Sequence, residues 1–327
     1  MKLSRPGINR PGVNRPSINR RAFLGAAALL PLAGCTKDST PDSRPSSPAS
    51  APSARSAPSA ASAAVPNRRH DRLIELERKF DARLGVYALA TGTGEGIAHR
   101  ADERFAFCST FKGVAAAAVL HHNPLSHLDT VIRYTDDDLM KHAPITSQNV
   151  ANGMTIRQLC DAAVRYSDGT AGNLLLRDIG GPAGLTAYTR TLGDSVTRIN
   201  RTEPAISEAI PGDPRDTTSP RAFGTNYQKM VLGNALPGDK RAFLRDLLER
   251  NTTGAERIRA GVPRGWTVAD KTGTGSYGTL NDMAVVWPPK SAPPLVIAVM
   301  STKAGKNAEY DQALIAEAAA YAVETLA

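Results

Sequence analysis

The chain has 327 residues, 41% of them hydrophobic, with 40 Lys and Arg against 31 Asp and Glu. Nine of the basic residues and two of the acidic ones fall in residues 1–66, so the formal net charge of +9 belongs mostly to the leader and the remaining 261 residues stand near neutral at +2. That distribution argues against an extended phosphate-binding surface, and so against a nucleic-acid partner, while 261 residues suffice for a sizeable core.

Three copies of a five-residue unit, Arg-Pro-Gly/Ser-Ile/Val-Asn, occupy residues 5–19 and run into Arg20-Arg21-Ala22-Phe23-Leu24 and a short apolar stretch ending at Leu32. A basic start, a twin arginine and a short apolar run look like a twin-arginine export signal over residues 1–34. Leu32-Ala33-Gly34-Cys35 is similar to the lipobox of bacterial lipoproteins, which implies that Cys35 becomes the lipidated first residue. Residues 35–66 are Ser, Ala and Pro with scattered charge, too poor in large apolar groups to pack, and read as a tether. The folded part is expected over 67–327, exported and held by Cys35 on the extracytoplasmic face of the cell membrane or its periplasmic side.

Residues 67–84 read as an amphipathic helix with Leu73, Leu76 and Phe80 on one face. Residues 86–90 and 96–100 look like strands about a Gly-rich turn. The stretch 109–120 follows, and its part 113–120 has no polar residue, the mark of a buried helix. Thr155-Ile156-Arg157-Gln158 fits a capping box, with Ile156, Leu159, Cys160, Ala163 and Val164 behind it. A break at 167–169 leads into a helix through Leu176. Residues 268–273, 283–287 and 295–301 read as strands, and 313–326 closes as a helix. Strands at both ends with helices between predict an α+β fold: an antiparallel sheet formed by the chain termini and flanked by helices, plus a helical lobe.

Ser109-Thr110-Phe111-Lys112 places a hydroxyl and an ammonium one helical turn apart, about 5–6 Å between Cβ atoms. The serine sits at a helix N-terminus, where backbone N–H groups favour developing negative charge. Lys112, pressed against an apolar helix, is placed to accept a proton. Ser167-Asp168-Gly169 lies in the break between two helices, and Lys271-Thr272-Gly273 on a strand. In this order the three motifs are the set shared by class A β-lactamases and penicillin-binding proteins.

From about residue 70 to its end the chain resembles a class A (serine) β-lactamase. Arg201-Thr202-Glu203-Pro204 and the segment 211–220 look like the Ω-loop of that family, and Asn251-Thr252-Thr253-Gly254 with Arg257 match a later substrate-side segment. Arg201 and Asp216 bound 16 residues and are placed to pair across the loop's neck. The resemblance implies hydrolysis of penicillins and cephalosporins without metal or cofactor, by a monomer whose partner is a small β-lactam. It assigns Ser109 as nucleophile, Lys112 as its activator, Ser167 as proton carrier to the departing nitrogen, and Glu203 as base for the hydrolytic water. It makes the backbone N–H groups of Ser109 and Thr274 an oxyanion hole, sets Lys271, Thr272, Gly273, Thr274 and Arg257 around the substrate carboxylate, and makes the Glu203–Pro204 bond cis.

Three positions depart from the family's common pattern: Gly169 and Ser207 where asparagine is usual, and His142 where an aromatic residue is frequent at the cleft mouth. With Gly275 after Thr274, Cys108 lacks the partner of a cross-cleft disulfide, so Cys108 and Cys160 are expected as free thiols. His121, His122, His127 and Asp129 read as a solvated helix exit rather than a zinc site. The alternatives are a D-alanyl-D-alanine peptidase or transpeptidase, which shares the three motifs but lacks the Glu203 arrangement, and a penicillin-binding lipoprotein that stays acylated.

Overall fold

The computed structural model describes Pro66 and residues 68–327. The export signal, Cys35, the Ser/Ala/Pro segment before Pro66, and Asn67 lie outside the described residues.

In chain order the elements are α1 (Asp71–Phe80), β1 (Arg83–Ala90), β2 (Gly96–His99), β3 (Phe105–Ala106), α2 (Phe111–His122), β4 (Val131–Ile132), β5 (Met154–Thr155), α3 (Ile156–Arg165), α4 (Gly169–Asp178), α5 (Gly181–Thr191), β6 (Thr217–Thr218), α6 (Pro220–Val231), α7 (Gly238–Glu249), α8 (Ile258–Gly261), β7 (Thr267–Thr274), β8 (Leu280–Trp287), β9 (Leu295–Thr302) and α9 (Gln312–Leu326). The main sheet is antiparallel in the order β2-β1-β9-β8-β7, so the two ends of the folded part meet along β1 and β9. The α+β architecture is the one expected from the sequence. Among the described residues no helix is long and apolar enough to cross a membrane.

Alternate residues of the central strands enter two cores. Leu84, Val86 and Ala88 of β1, with Ile297 and Val299 of β9, pack against α1 and α9. Tyr87 and Leu89, with Met283, Val285, Val296 and Ala298, face the helical lobe. Helices on both faces explain why these strands read as apolar runs rather than as alternation. Helix α2 is buried from Phe111 to Leu120. Its four consecutive alanines, 115–118, bury little bulk and let α3, α4, α5 and α7 pack around it.

Three expectations change. The first helix stops at Phe80, not Leu84: Asp81 takes the left-handed conformation (φ 45°) and its N–H reaches back to Arg78 O and Glu77 O. Arg83 and Leu84 then open β1, paired with Thr302 and Ser301. Strand β8 begins three residues before the expected 283, because the polar Asn281 and Asp282 are buried in the sheet. The break before α2 is a 3₁₀ turn, Cys108–Thr110, with Ser109 at its middle. The capping box at Thr155 forms as expected, with Gln158 N–H donating to Thr155 Oγ1 and Thr155 N–H donating to Gln158 Oε1.

Gly113 in α2 meets α6: a Cβ there would lie 2.3 Å from Tyr227 Oη, whose hydroxyl donates to Thr110 O at 2.8 Å. Gly113→Ala gains roughly 1 kcal/mol of helix propensity but overpacks a full core and displaces that bond. A net loss of about 1–3 kcal/mol is expected in urea unfolding; unchanged stability would show that the contact relaxes freely.

Candidate active site

The turn carrying Ser109 is held from three sides. Strands β3 and β6 pair Phe105 with Thr218 and Ala106 with Thr217, which ties the chain entering the turn to the exit of the 201–216 loop. Phe107 N–H donates to Asp216 O at 3.3 Å, and Asn281 Nδ2 donates to Ala106 O and Phe107 O at 2.8 and 3.1 Å. A Cβ on Gly273 of β7 would stand 2.6 Å from Phe107 O, so only glycine lets the strand lie this close. Cys108 takes φ 47°, outside the usual range for a side chain. Its thiol is buried, and burial pushes its pKa up. Cys160 is the other free cysteine among the described residues, its pKa raised by burial to about 12.

Ser167 (φ 57°) is fixed by its neighbour. The fully buried Asp168 carboxylate accepts from the backbone N–H of Ile145, Thr146 and Ala171 and from the Thr146 hydroxyl, all within 3.0 Å. Asp168 thus caps α4 and anchors the loop bearing Met140 and His142 in one stroke.

Glu203 rides on the loop between α5 and β6. Asp216, 1% exposed, closes the neck: Oδ1 accepts from Asn200 N and Arg201 N, and Oδ2 from Arg201 Nε at 2.5 Å. Arg201 Nη1 also pairs with Glu208. Across the loop, Asn173 of α4 takes both main-chain groups of Glu203, its Oδ1 accepting at 2.9 Å and its Nδ2 donating to Glu203 O at 3.0 Å. The Glu203–Pro204 peptide is cis.

Lys112, 1% exposed, donates to Ser109 Oγ at 2.7 Å, Ser167 O at 2.9 Å and Glu203 Oε1 at 3.1 Å. The apolar surroundings expected of this lysine are those of its methylenes; its nitrogen meets three oxygens. Ser109 Oγ lies 3.2 Å from Glu203 Oε1, and Ser207 Oγ 3.0 Å from Oε2. Lys271 donates to Ser167 Oγ at 3.1 Å and Thr272 O at 3.0 Å. Burial first, and then the Lys112 charge, pull the pKa of Lys271 down to about 7.

Ser109, Lys112, Ser167, Gly169, Glu203, Ser207, His142, Thr272, Gly273, Thr274 and Arg257 line one cleft of about 490 Å³, with Lys271 bonded to its Ser167 wall. Arg257 is more committed than its expected carboxylate-holding part suggests: it donates to Gly273 O, Asn281 O, Thr274 Oγ1 and Gln312 Oε1. His142 Nε2 lies 3.1 Å from Tyr166 O, and Gly169 N–H donates to His142 O at 2.7 Å. Of the set that resembled a zinc site, His127 bonds Asp178 at 3.0 Å and Asp129 pairs with Arg157 at 3.2 Å. The lining or positioning residues missed from sequence include Met140, Lys141, Asn173, Asn281 and Tyr310. Asn173 falls one turn beyond Gly169, a spacing that could have marked it; Tyr310 carried no motif.

The family model described as the beta-lactamase enzyme family matches residues 68–326. The chain belongs to the beta-lactamase enzyme family. It is 60% identical over 263 residues to a beta-lactamase of Mycobacterium tuberculosis (79% of this chain, 85% of the relative). To a beta-lactamase of Amycolatopsis lactamdurans it is 55% identical over 251 residues (77% and 83%). The crystal structure of a class A beta-lactamase from Clostridium kluyveri superposes with a TM-score of 0.77 at 47% identity, covering 78% of this chain and 97% of that one.

Asp216→Asn keeps the shape at the loop neck but removes the charge that holds Arg201 and two backbone N–H groups. Hydrogen bonds to a charged group are worth about 1.5–3 kcal/mol, so thermal and urea unfolding should show a loss of that size. Limited proteolysis should then cut within 201–216; an uncut loop at wild-type stability would remove the clamp from the account.

Proposed function

We propose that the chain hydrolyses penicillins and cephalosporins through an ester on Ser109, with no metal. Ser109 Oγ adds to the lactam carbonyl as its hydrogen passes to the Lys112–Glu203 pair that touches it; the C–N bond breaks, and a proton from that pair reaches the departing nitrogen through Ser167, which Lys271 orients. In this reading the oxygen that becomes negative is received by the backbone N–H groups of Ser109 and Thr274. Glu203 then takes a proton from water, the hydroxide adds to the ester carbonyl, the C–Oγ bond breaks, and Ser109 Oγ takes that proton back from Glu203.

The observation that carries this reading is the position of Glu203 Oε1, within 3.2 Å of Ser109 Oγ and 3.1 Å of Lys112 Nζ. A carboxylate touching the nucleophile is what an acylated serine needs if it is to be freed again, and a transpeptidase has no use for it. The cations around the cleft favour an acid as substrate. Lys112, paired with Glu203, and Arg257 line the cleft, with Lys271 bonded to its Ser167 wall, and an arriving substrate carboxylate favours the charged form of Lys271. Thr272 and Thr274 hydroxyls stand beside it to complete the carboxylate's bonds.

Glu203→Gln is nearly isosteric but accepts no proton. Incubated with benzylpenicillin it should accumulate penicilloyl mass on Ser109 by mass spectrometry, with turnover reduced by at least the roughly 10²-fold typical of a lost general base. If the wild type itself stalls as an acyl-enzyme and the variant behaves identically, hydrolysis is not its reaction and a transpeptidase or a permanently acylated binding protein is.

We also propose that the mature chain is exported by the twin-arginine route and tethered to the outer face of the cell membrane through lipid on Cys35, a reading supported by Arg20-Arg21 and by Leu32-Ala33-Gly34-Cys35. Cys35→Ala should shift the enzyme from the membrane fraction to the soluble exported fraction, and replacing Arg20 and Arg21 by lysine should retain it in the cytoplasm. Wild-type enzyme found wholly in the cytoplasm would end this proposal.

A further inference from the structure

Tyr310 is one of three large hydrophobic residues among those described that stay well exposed, at 48%. It alone of the three lines the cleft, close enough to Arg257 to act on its charge, and Arg257 in turn donates to Thr274 Oγ1. Its backbone is fixed from both sides. The segment between β9 and α9 docks on the β7–β8 turn, with Lys303 N–H donating to Tyr277 O at 2.7 Å and Tyr277 N–H donating to Lys306 O at 2.9 Å. On the other side Asp311 caps α9 and Gln312 Oε1 accepts from Arg257 Nε at 3.0 Å. A flat, rigidly based, half-exposed ring therefore stands next to the groups that receive the substrate carboxylate in the proposed reading, on which this inference rests.

We infer that Tyr310 reads the substituent on the substrate atom next to the carboxylate-bearing carbon. In a cephalosporin that atom is C3, a planar carbon that often carries a flat heteroaromatic group; in a penicillin it carries two methyl groups. An offset stack between the phenol and a C3 heteroaromatic ring gives the enzyme a preference among cephalosporins that neither Arg257 nor Thr274 supplies. Met140, His142 and Gly169 line the cleft as well.

The test uses two cephalosporins with the same acyl side chain, one bearing a neutral heteroaryl-thiomethyl group at C3 and the other a methyl group, with benzylpenicillin as reference. Tyr310→Ala should raise KM for the heteroaryl compound about threefold to tenfold more than for the methyl compound, the range of one aromatic stack. Tyr310→Phe should retain the preference. Equal shifts for the two cephalosporins, or loss of the preference in Tyr310→Phe, would overturn the assignment to stacking while benzylpenicillin turnover still upholds the hydrolase. A wild-type enzyme that turns over none of the three would overturn both together.

Discussion

Two ammonium groups in the interior set the terms for the rest of the structure. Lys112 and Lys271 are 1% and 0% exposed, and a buried cation costs several kcal/mol unless oxygen atoms meet it. Those oxygens come from four distant segments: the 3₁₀ turn at Ser109, the break at Ser167, the loop at Glu203 and strand β7 at Thr272. Each segment is local in sequence and has no reason of its own to meet the others. The lysines act as nodes, so the helical lobe, the sheet edge and the 201–216 loop must close together or leave charge unpaired. The pairing is incomplete in one respect, since Glu203 is the carboxylate among these partners. The low pKa of Lys271, about 7, is the consequence of its burial and of the second lysine nearby.

The same closure holds the backbone in costly conformations. Cys108 and Ser167 both have positive φ, and a non-glycine residue there costs on the order of 1–3 kcal/mol. Such residues persist where the surroundings over-determine them. For Cys108 those surroundings are the bonds at Phe107, made by Thr110 Oγ1, Asn281 Nδ2 and Asp216 O. For Ser167 they are the four donors that meet Asp168. Buried Asp168, Asp216 and Asn281 are not among the residues that line the cleft, yet they hold the turns that carry the two hydroxyls of the proposed chemistry. Stability and geometry at the cleft are thus set by one polar network, in which a half-satisfied member is worse than none.

Much of this was legible in the sequence because the chemistry is written in short motifs with fixed spacing. Ser109 and Lys112 sit one turn apart on a helix whose lack of polar residues announces burial, and the Arg201–Asp216 interval already has the length of a compact loop. What escaped reading is what depends on distant partners. Asn281 and Asp282 look like turn residues, yet lie inside β8 because Asn281 reaches back to the main chain before Ser109. Leu84 continues the apolar spacing of α1, but a left-handed Asp81 and pairing with β9 claim it and Arg83 for the sheet. Asn173 looks like any exposed helix residue until the Glu203 backbone is brought to it. Tyr310 gains a position in the cleft only because the segment after β9 folds onto the β7–β8 turn.

The departure at Ser207 bears on how the proposed second step begins. Both oxygens of Glu203 are engaged in the free enzyme, Oε1 by Ser109 and Lys112 and Oε2 by Ser207. Once Ser109 becomes an ester its hydroxyl hydrogen is gone, and the bond to Oε1 goes with it. A position beside the carboxylate is then open at the step where a water is needed, close to the ester carbon. Ser207, too short to reach far into the cleft, keeps Oε2 in place meanwhile, so the carboxylate turns little between the two steps. In the proposed step the serine thus holds the base rather than the water, while the two Asn173 bonds to the Glu203 main chain fix the loop beneath it.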